Sequence, residues 1–350
     1  MRKNNTLIIK KDKAYRFATG IKKMKSNFLV EVIRGDIQEK RFYGWISVVN
    51  SKKKILKSLE IPDYVCFMRS CEKPIQALCA IEFGAVKKFG LDASDISISF
   101  ASHSGSREHV EKIKSIMNKF GVSEEAFLCG AHPPFDNEER HRLLKEGQQP
   151  TVLHNNCSGK HLFMIASCIA KGWDYSNYTD FEHPIQLHIT DLIRQYCQPE
   201  DMHYGIDGCG MPVHGMKLSE MGAGFSKFFD GTTTGAEIIA DAVTEFPVLA
   251  GGKDRIDTCI IQASKGKLIA KVGAEGLIIV TPRHSGEALV VKASDGNNNV
   301  RDFVVVEALR KLGWLEKPPE DYEELVYFTQ RDLYSLSNKK VGYYNFAFQI

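Results

Sequence analysis

No apolar run in the 350-residue sequence approaches the roughly 20 residues that a bilayer-spanning helix needs, so a membrane span is not expected. The first 20 residues are basic, yet they have neither an apolar stretch nor a small-residue cleavage site, so they do not read as a signal peptide. Internal repeats and low-complexity tracts are missing as well. Charge asymmetry is slight: 46 Lys and Arg stand against 43 Asp and Glu, a formal net charge of +3. That is too little to mark nucleic acid or an anionic membrane as the partner. No C-x-x-C pair occurs among the nine cysteines, and their number is odd. The odd number, without a visible signal peptide, argues for reduced thiols in a cytoplasmic protein, and the missing C-x-x-C spacing gives a metal site little support from sequence. Hydrophobic residues make up 43% and charged residues 25%, ordinary values for a globular chain of this length.

Hydrophobic periodicity gives strands over 28–33, 44–49 and 54–59, then a long helical middle, then strands over 258–263, 268–272, 277–281 and 288–293. Helices are expected over 70–89, 106–120, 137–146, 159–170, 184–196, 219–229, 235–246 and 298–311. Residues 96–100 form a short strand or buried segment leading into polar residues, and 341–349 a last strand. The economical fold is α/β: an antiparallel sheet built from both chain ends, with the helical middle as a second lobe. Residues 1–25 are a basic extension, and 26–350 a single domain. Its sheet lobe covers 26–66 and 255–350, and its helical lobe 67–254.

Five constellations carry chemistry. Ser70-Cys71-Glu72-Lys73 opens an apolar helix, and its spacing places Ser70 and Lys73 one turn apart on one face. A lysine whose charge is disfavoured there can take the serine proton. Helix-start statistics explain the same string without chemistry, since serine caps helices and lysine is common on them. Ala101-Ser102-His103-Ser104-Gly105 delivers polar side chains at the end of a buried segment, or simply caps the next helix. Asn155-Asn156-Cys157-Ser158-Gly159-Lys160-His161 opens a helix apolar nearly all round. Loop amides at such a start can hold an anion or oxyanion. Gly205 to Pro212 is a tight loop from which Asp207 and Cys209 project. Cys157 and Cys209 can share a zinc ion, with Lys160, His161 or Asp207 as third ligand. Lys271-Val272-Gly273 lies on a strand entering a Gly-rich turn, either facing a cleft or guarding a sheet edge in water. Ser70/Lys73, Ser102 and Lys271 follow the order S-x-x-K, serine loop, K-T-G of the penicillin-recognising serine enzymes. Ser104 and Val272 depart from that pattern, which argues against tuning for β-lactams.

Taken together, these segments resemble the bacterial type II, Rhizobium-type, serine-dependent L-asparaginases. The resemblance runs over about 28–315 and is carried by Arg34-Gly35 with Glu39, Arg69-Ser70-x-x-Lys73-Pro74-x-Gln76-Ala77, Ala101 to Gly105 with His109, Cys129-Gly130, Asn156 to His161, Asp207-Gly208-Cys209, Lys271 to Gly276 and Asp295-Gly296. It implies a fold like serine glutaminases and class A β-lactamases, two Ser–Lys tandems (Ser70 with Lys73, Ser102 with Lys271), a zinc site at Cys157, Lys160 and Cys209, and a homodimer. Phe42 departs from a histidine often found three residues beyond the glutamate that Glu39 matches. The expected activity is hydrolysis of L-asparagine, with Arg69, His103, Asp207 and His161 as substrate-binding residues. Other small amides, a β-lactam, or a non-catalytic zinc or redox role for Cys157 and Cys209 are the alternatives.

Overall fold

The structure, a computed structural model, describes residues 25–350, so the expected basic extension lies outside the described residues apart from Lys25. Strands β1 (Asn27–Arg34) and β2 (Ile37–Asn50) form a hairpin through Gly35, which takes the left-handed conformation the tight turn demands. Strand β3 (Ile55–Ser58) folds back on β2. Strands β4 (Val65–Phe67), β5 (His203–Ile206) and β6 (Pro212–Lys217) make a separate sheet in the order β4-β6-β5. The chain then adds β7 (Leu268–Gly273), β8 (Leu277–Pro282), β9 (Glu287–Ala293), β10 (Asp332–Tyr334) and β11 (Lys340–Phe346). The main sheet runs β10-β11-β1-β2-β9-β8-β7, with β3 beside β2 and every pairing antiparallel. It is built from both chain ends, as the sequence pattern requires.

Both faces of this sheet are covered. Trp45, Val49, Leu277, Ile279, Ala288 and Val290 pack toward the helical middle of the chain. Their neighbours Ile46, Val48, Ile278, Val280, Leu289 and Val291 pack toward the helices Ile256–Ala263 and Asn298–Leu312. Period-two alternation between two apolar faces explains why these strands read as continuous apolar runs. The helix Leu218–Phe228 sits close on the first face. A Cβ at Gly222 would come within 2.6 Å of Val49 and 2.7 Å of Val290, so glycine sets the depth of that contact.

Four elements differ from the sequence reading. The expected strand over 258–263 is the helix Ile256–Ala263. It is buried on nearly all sides, and a short apolar run buried all round has no period to betray it. Residues 96–99 belong to the helix Ala93–Ser99, which Phe100 closes and a capping box between Asp92 and Asp95 fixes at its start. The expected helix 70–89 is broken: a 3-10 turn at Arg69–Glu72 precedes the helix Lys73–Glu82, and Gly84, at φ +76, ends it before a short turn at Ala85–Lys88. The small β4-β6-β5 sheet was not anticipated, because its strands are only three to six residues long and β5 and β6 contain Gly205 and Gly215.

Candidate active site

The turn Arg69–Glu72 carries Ser70 and delivers Lys73 at the start of its helix. Arg69 has φ +52, a left-handed conformation that side-chain-bearing residues rarely hold unless their surroundings impose it. Two anchors impose it. On one side, Glu72 accepts the backbone N–H of His214 at 2.6 Å, lies 3.1 Å from His214 Nδ1, and accepts Gln76 Nε2 at 3.0 Å. On the other, the Cys71 thiol donates to Lys271 O at 3.2 Å, docking the turn on the open edge of β7. Neither Glu72 nor His214 was singled out in the sequence. Glu72 sits inside the S-x-x-K string, and its acidic side chain in a buried turn is the signal that marked it.

Lys73 is 1% exposed. Its amine lies 2.6 Å from Ala101 O, 3.0 Å from Ser102 Oγ and 3.3 Å from Asn156 O. Lys271 is 0% exposed, which excludes a water-facing edge lysine. Its amine lies 2.9 Å from the same Ser102 Oγ, 3.0 Å from Val272 O and 3.5 Å from Asp257 Oδ2. The structure therefore brings Ser102 into hydrogen-bond range of both lysines. Ser70 Oγ makes no hydrogen bond among the described residues, and Lys73 is turned to Ser102. Burial disfavours the charge on each lysine. It holds Lys73 below its ordinary range more strongly than Cys157 raises it. It brings Lys271 down to about 8, although Asp257 pulls the other way. Ser70 and Ser102 are 8% and 2% exposed, so the reacting groups are shielded from water. A cavity of about 840 Å³ opens beside them rather than on them, lined by Ser104, His109, Phe135, Gly252 and Arg255 among others.

The second cluster lies at the start of the helix Ser158–Lys171. Gly159 lets that helix approach, since a Cβ there would meet Ile98 O at 2.2 Å. Lys160 donates to Cys209 Sγ at 3.1 Å, and the Cys157 thiol hydrogen-bonds to the same sulfur. That bond, with burial, pushes the Cys157 thiol up to about 12 and helps hold Cys209 well below its ordinary value. Burial opposes the Lys160 charge, yet Cys209, Cys157 and Asp207 outweigh it and keep the amine above its usual range. Among the described residues no three His, Cys, Asp or Glu side chains gather to hold a metal. The expected zinc set of two sulfurs and one amine does converge, and its donors suit zinc once Cys157 and Lys160 have given up their protons.

Of the expected substrate-binding residues, Arg69 and Asp207 meet: Arg69 Nε lies 2.6 Å from Asp207 Oδ1, while Arg69 Nη1 lies 4.0 Å from Glu275 Oε1. Burial opposes the Asp207 charge, but Lys160 and Arg69 hold its carboxyl below the usual range. His103 is fully buried and occupied on both sides, accepting Gly105 N–H at 3.1 Å and lying 2.9 Å from Ser158 Oγ. His161 Nδ1 meets Tyr178 OH at 2.6 Å, while its buried Nε2 has no partner among the described residues. Phe42 packs against the core cluster on the far face of the sheet. Asp257, which sequence reasoning missed as a site residue, touches Lys271 only because its segment is a helix.

No curated protein matches the chain. Among solved structures, a β-lactamase from Mycobacterium bovis is 13% identical with a TM-score of 0.41, over 76% of this chain and 93% of that one. A candidate β-lactamase from Bacteroides dorei DSM 17855 is 14% identical with a TM-score of 0.38, over 75% of this chain and 92% of that one. Both likenesses are distant in sequence and in backbone. A family model, L-asparaginase II, matches residues 30–346, nearly all that the structure describes, and the chain belongs to that family.

Proposed function

We propose that this asparaginase-family amidohydrolase converts L-asparagine and water to L-aspartate and ammonia through a serine acyl-enzyme. The observation that carries the reading is one hydroxyl, Ser102, between two buried lysine amines at 3.0 and 2.9 Å, next to the turn that presents Ser70. Arg69 receives the substrate α-carboxylate through its terminal nitrogens, displacing the exposed Glu275 carboxylate 4.0 Å from Nη1. Neutral Lys73 takes the Ser70 proton as Ser70 Oγ attacks the side-chain amide, and backbone amides hold the oxyanion. The C–N bond breaks as nitrogen takes a proton from Ser102, which is replenished by Lys271. Water then attacks the ester and returns its proton through Ser102 to Lys271. The Ser70 alkoxide recovers its own proton from Lys73. Atoms balance, and both lysines end as they began.

Zinc, if bound, would be held by Cys157, Lys160 and Cys209 and would supply positive charge near Asp207 for polarising a substrate oxygen. The family resemblance adds a homodimer to the proposal. Among the described residues no helix is long and apolar enough to cross a membrane.

Ammonia release from asparagine and glutamine tests the substrate. The extra methylene of glutamine should lower kcat/KM by about tenfold or more in a site sized for asparagine. No release from either amide, or a preference for glutamine, would overturn the assignment.

A further inference from the structure

Two lysines that share one hydroxyl are chemically identical, and their surroundings must decide which one carries a proton. Lys73 is met by the carbonyl oxygens of Ala101 and Asn156, with no carboxylate against its amine among the described residues. Lys271 is met by one carbonyl oxygen and by the carboxylate of Asp257. Asp257 is buried in the first turn of the helix Ile256–Ala263. Its Oδ2 accepts Val272 N–H at 3.2 Å and its Oδ1 accepts Thr258 N–H at 3.2 Å, so the carboxylate is clamped in register with β7. Resting on the serine–lysine reading of this site, we propose that Asp257 is a positioning residue that keeps the proton on Lys271, the amine that supplies it to Ser102.

The charges facing Lys271 support this. Lys73 from its helix and Arg255 from the loop before Asp257 oppose a proton there. Cys71 is uncharged, since burial pushes its thiol up to about 12, and the Phe100 ring lies 5.7 Å from the amine. Burial opposes the proton on Lys271 most strongly, and Asp257 is the largest effect that favours it, countering the others in part. Burial opposes its own charge, but Lys271 and Arg255 hold its carboxyl below the ordinary range, with Arg301 adding to them. The proton on the amine that serves Ser102 is then held by a residue that touches neither substrate nor serine.

The test is the pH profile of kcat on asparagine for wild type, Asp257→Asn, Asp257→Glu and Lys271→Met. Asn keeps the shape and one backbone acceptor while removing the charge. With Lys271 acting as the protonated group, activity is lost as pH rises through its pKa. Asp257→Asn should therefore move that basic limb down by about one pH unit or more. It should also lower kcat at pH 8 by about fivefold or more. Asp257→Glu should bring the limb back toward wild type. A collapsed Lys271→Met beside an unshifted Asp257→Asn limb overturns the assignment alone. An unaffected Lys271→Met overturns the serine–lysine reading and the assignment with it. A lysine-labelled NMR titration reads the same group without turnover: Lys271 should deprotonate at lower pH in Asp257→Asn than in wild type, and an unchanged titration would refute the proposal.

Discussion

Lys73→Met will reduce kcat on asparagine by about 10³-fold or more, and Ser70→Ala will do the same, because nucleophile and base fail as a unit. The two variants separate chemistry from folding. Ser70 Oγ holds nothing among the described residues, so Ser70→Ala should leave the melting temperature nearly unchanged. Lys73 is different: its amine lies against Ala101 O and Asn156 O as well as Ser102. Methionine fills its volume but leaves those buried carbonyls without a donor, at a cost of about 1–3 kcal/mol for each one left unsatisfied. Lys73→Met should therefore melt earlier as well as turn over slowly. A folded Ser70→Ala protein with near-normal ammonia release would remove Ser70 from the mechanism and leave Ser102, already held by two amines, as the remaining hydroxyl.

Lys271→Met will also collapse turnover, by about 10²- to 10⁴-fold, the range for loss of a positioned proton donor. Its signature lies in the pH dependence. Burial lowers the Lys271 pKa to about 8, so the ammonium is present below that value and is lost as pH rises through it. A wild-type rate that depends on this ammonium falls in the same window. In Lys271→Met the low residual rate should no longer fall there. Retained activity with an intact basic limb would show that Ser70 and Lys73 work without a second lysine.

Local spacing made much of this site legible. Ser70 and Lys73 are one turn apart in the sequence, and Cys157, Lys160 and Cys209 stand in segments whose glycines announce close approach. Lys271 was legible for a different reason: a lysine inside an apolar strand needs an explanation, and its burial supplies one. What local spacing cannot give is partnership across the chain. Lys73 reaches Ser102, 29 residues on, rather than settling on its helical neighbour. Asp257 was hidden by a wrong period. Read as a strand beginning at 258, its segment offers no side chain to the site. Folded as a helix, the first turn carries the carboxylate to Lys271. The histidines show the converse. His103 stands in a motif of polar residues, yet both its nitrogens are taken up inside the protein. At the level of the fold, strands at both ends and helices between them were enough to imply the antiparallel sheet. The three short strands of the second sheet were too brief to stand out, and two of them are interrupted by Gly205 and Gly215.

The central claim is that amide hydrolysis passes through an ester on a serine, and acid quenching during turnover followed by peptide mass spectrometry tests it most directly. The account predicts an aspartyl ester on the peptide containing Ser70, present with asparagine and absent in Ser70→Ala. An ester on the Ser102 peptide instead, or ammonia release with no ester on either serine, would contradict it.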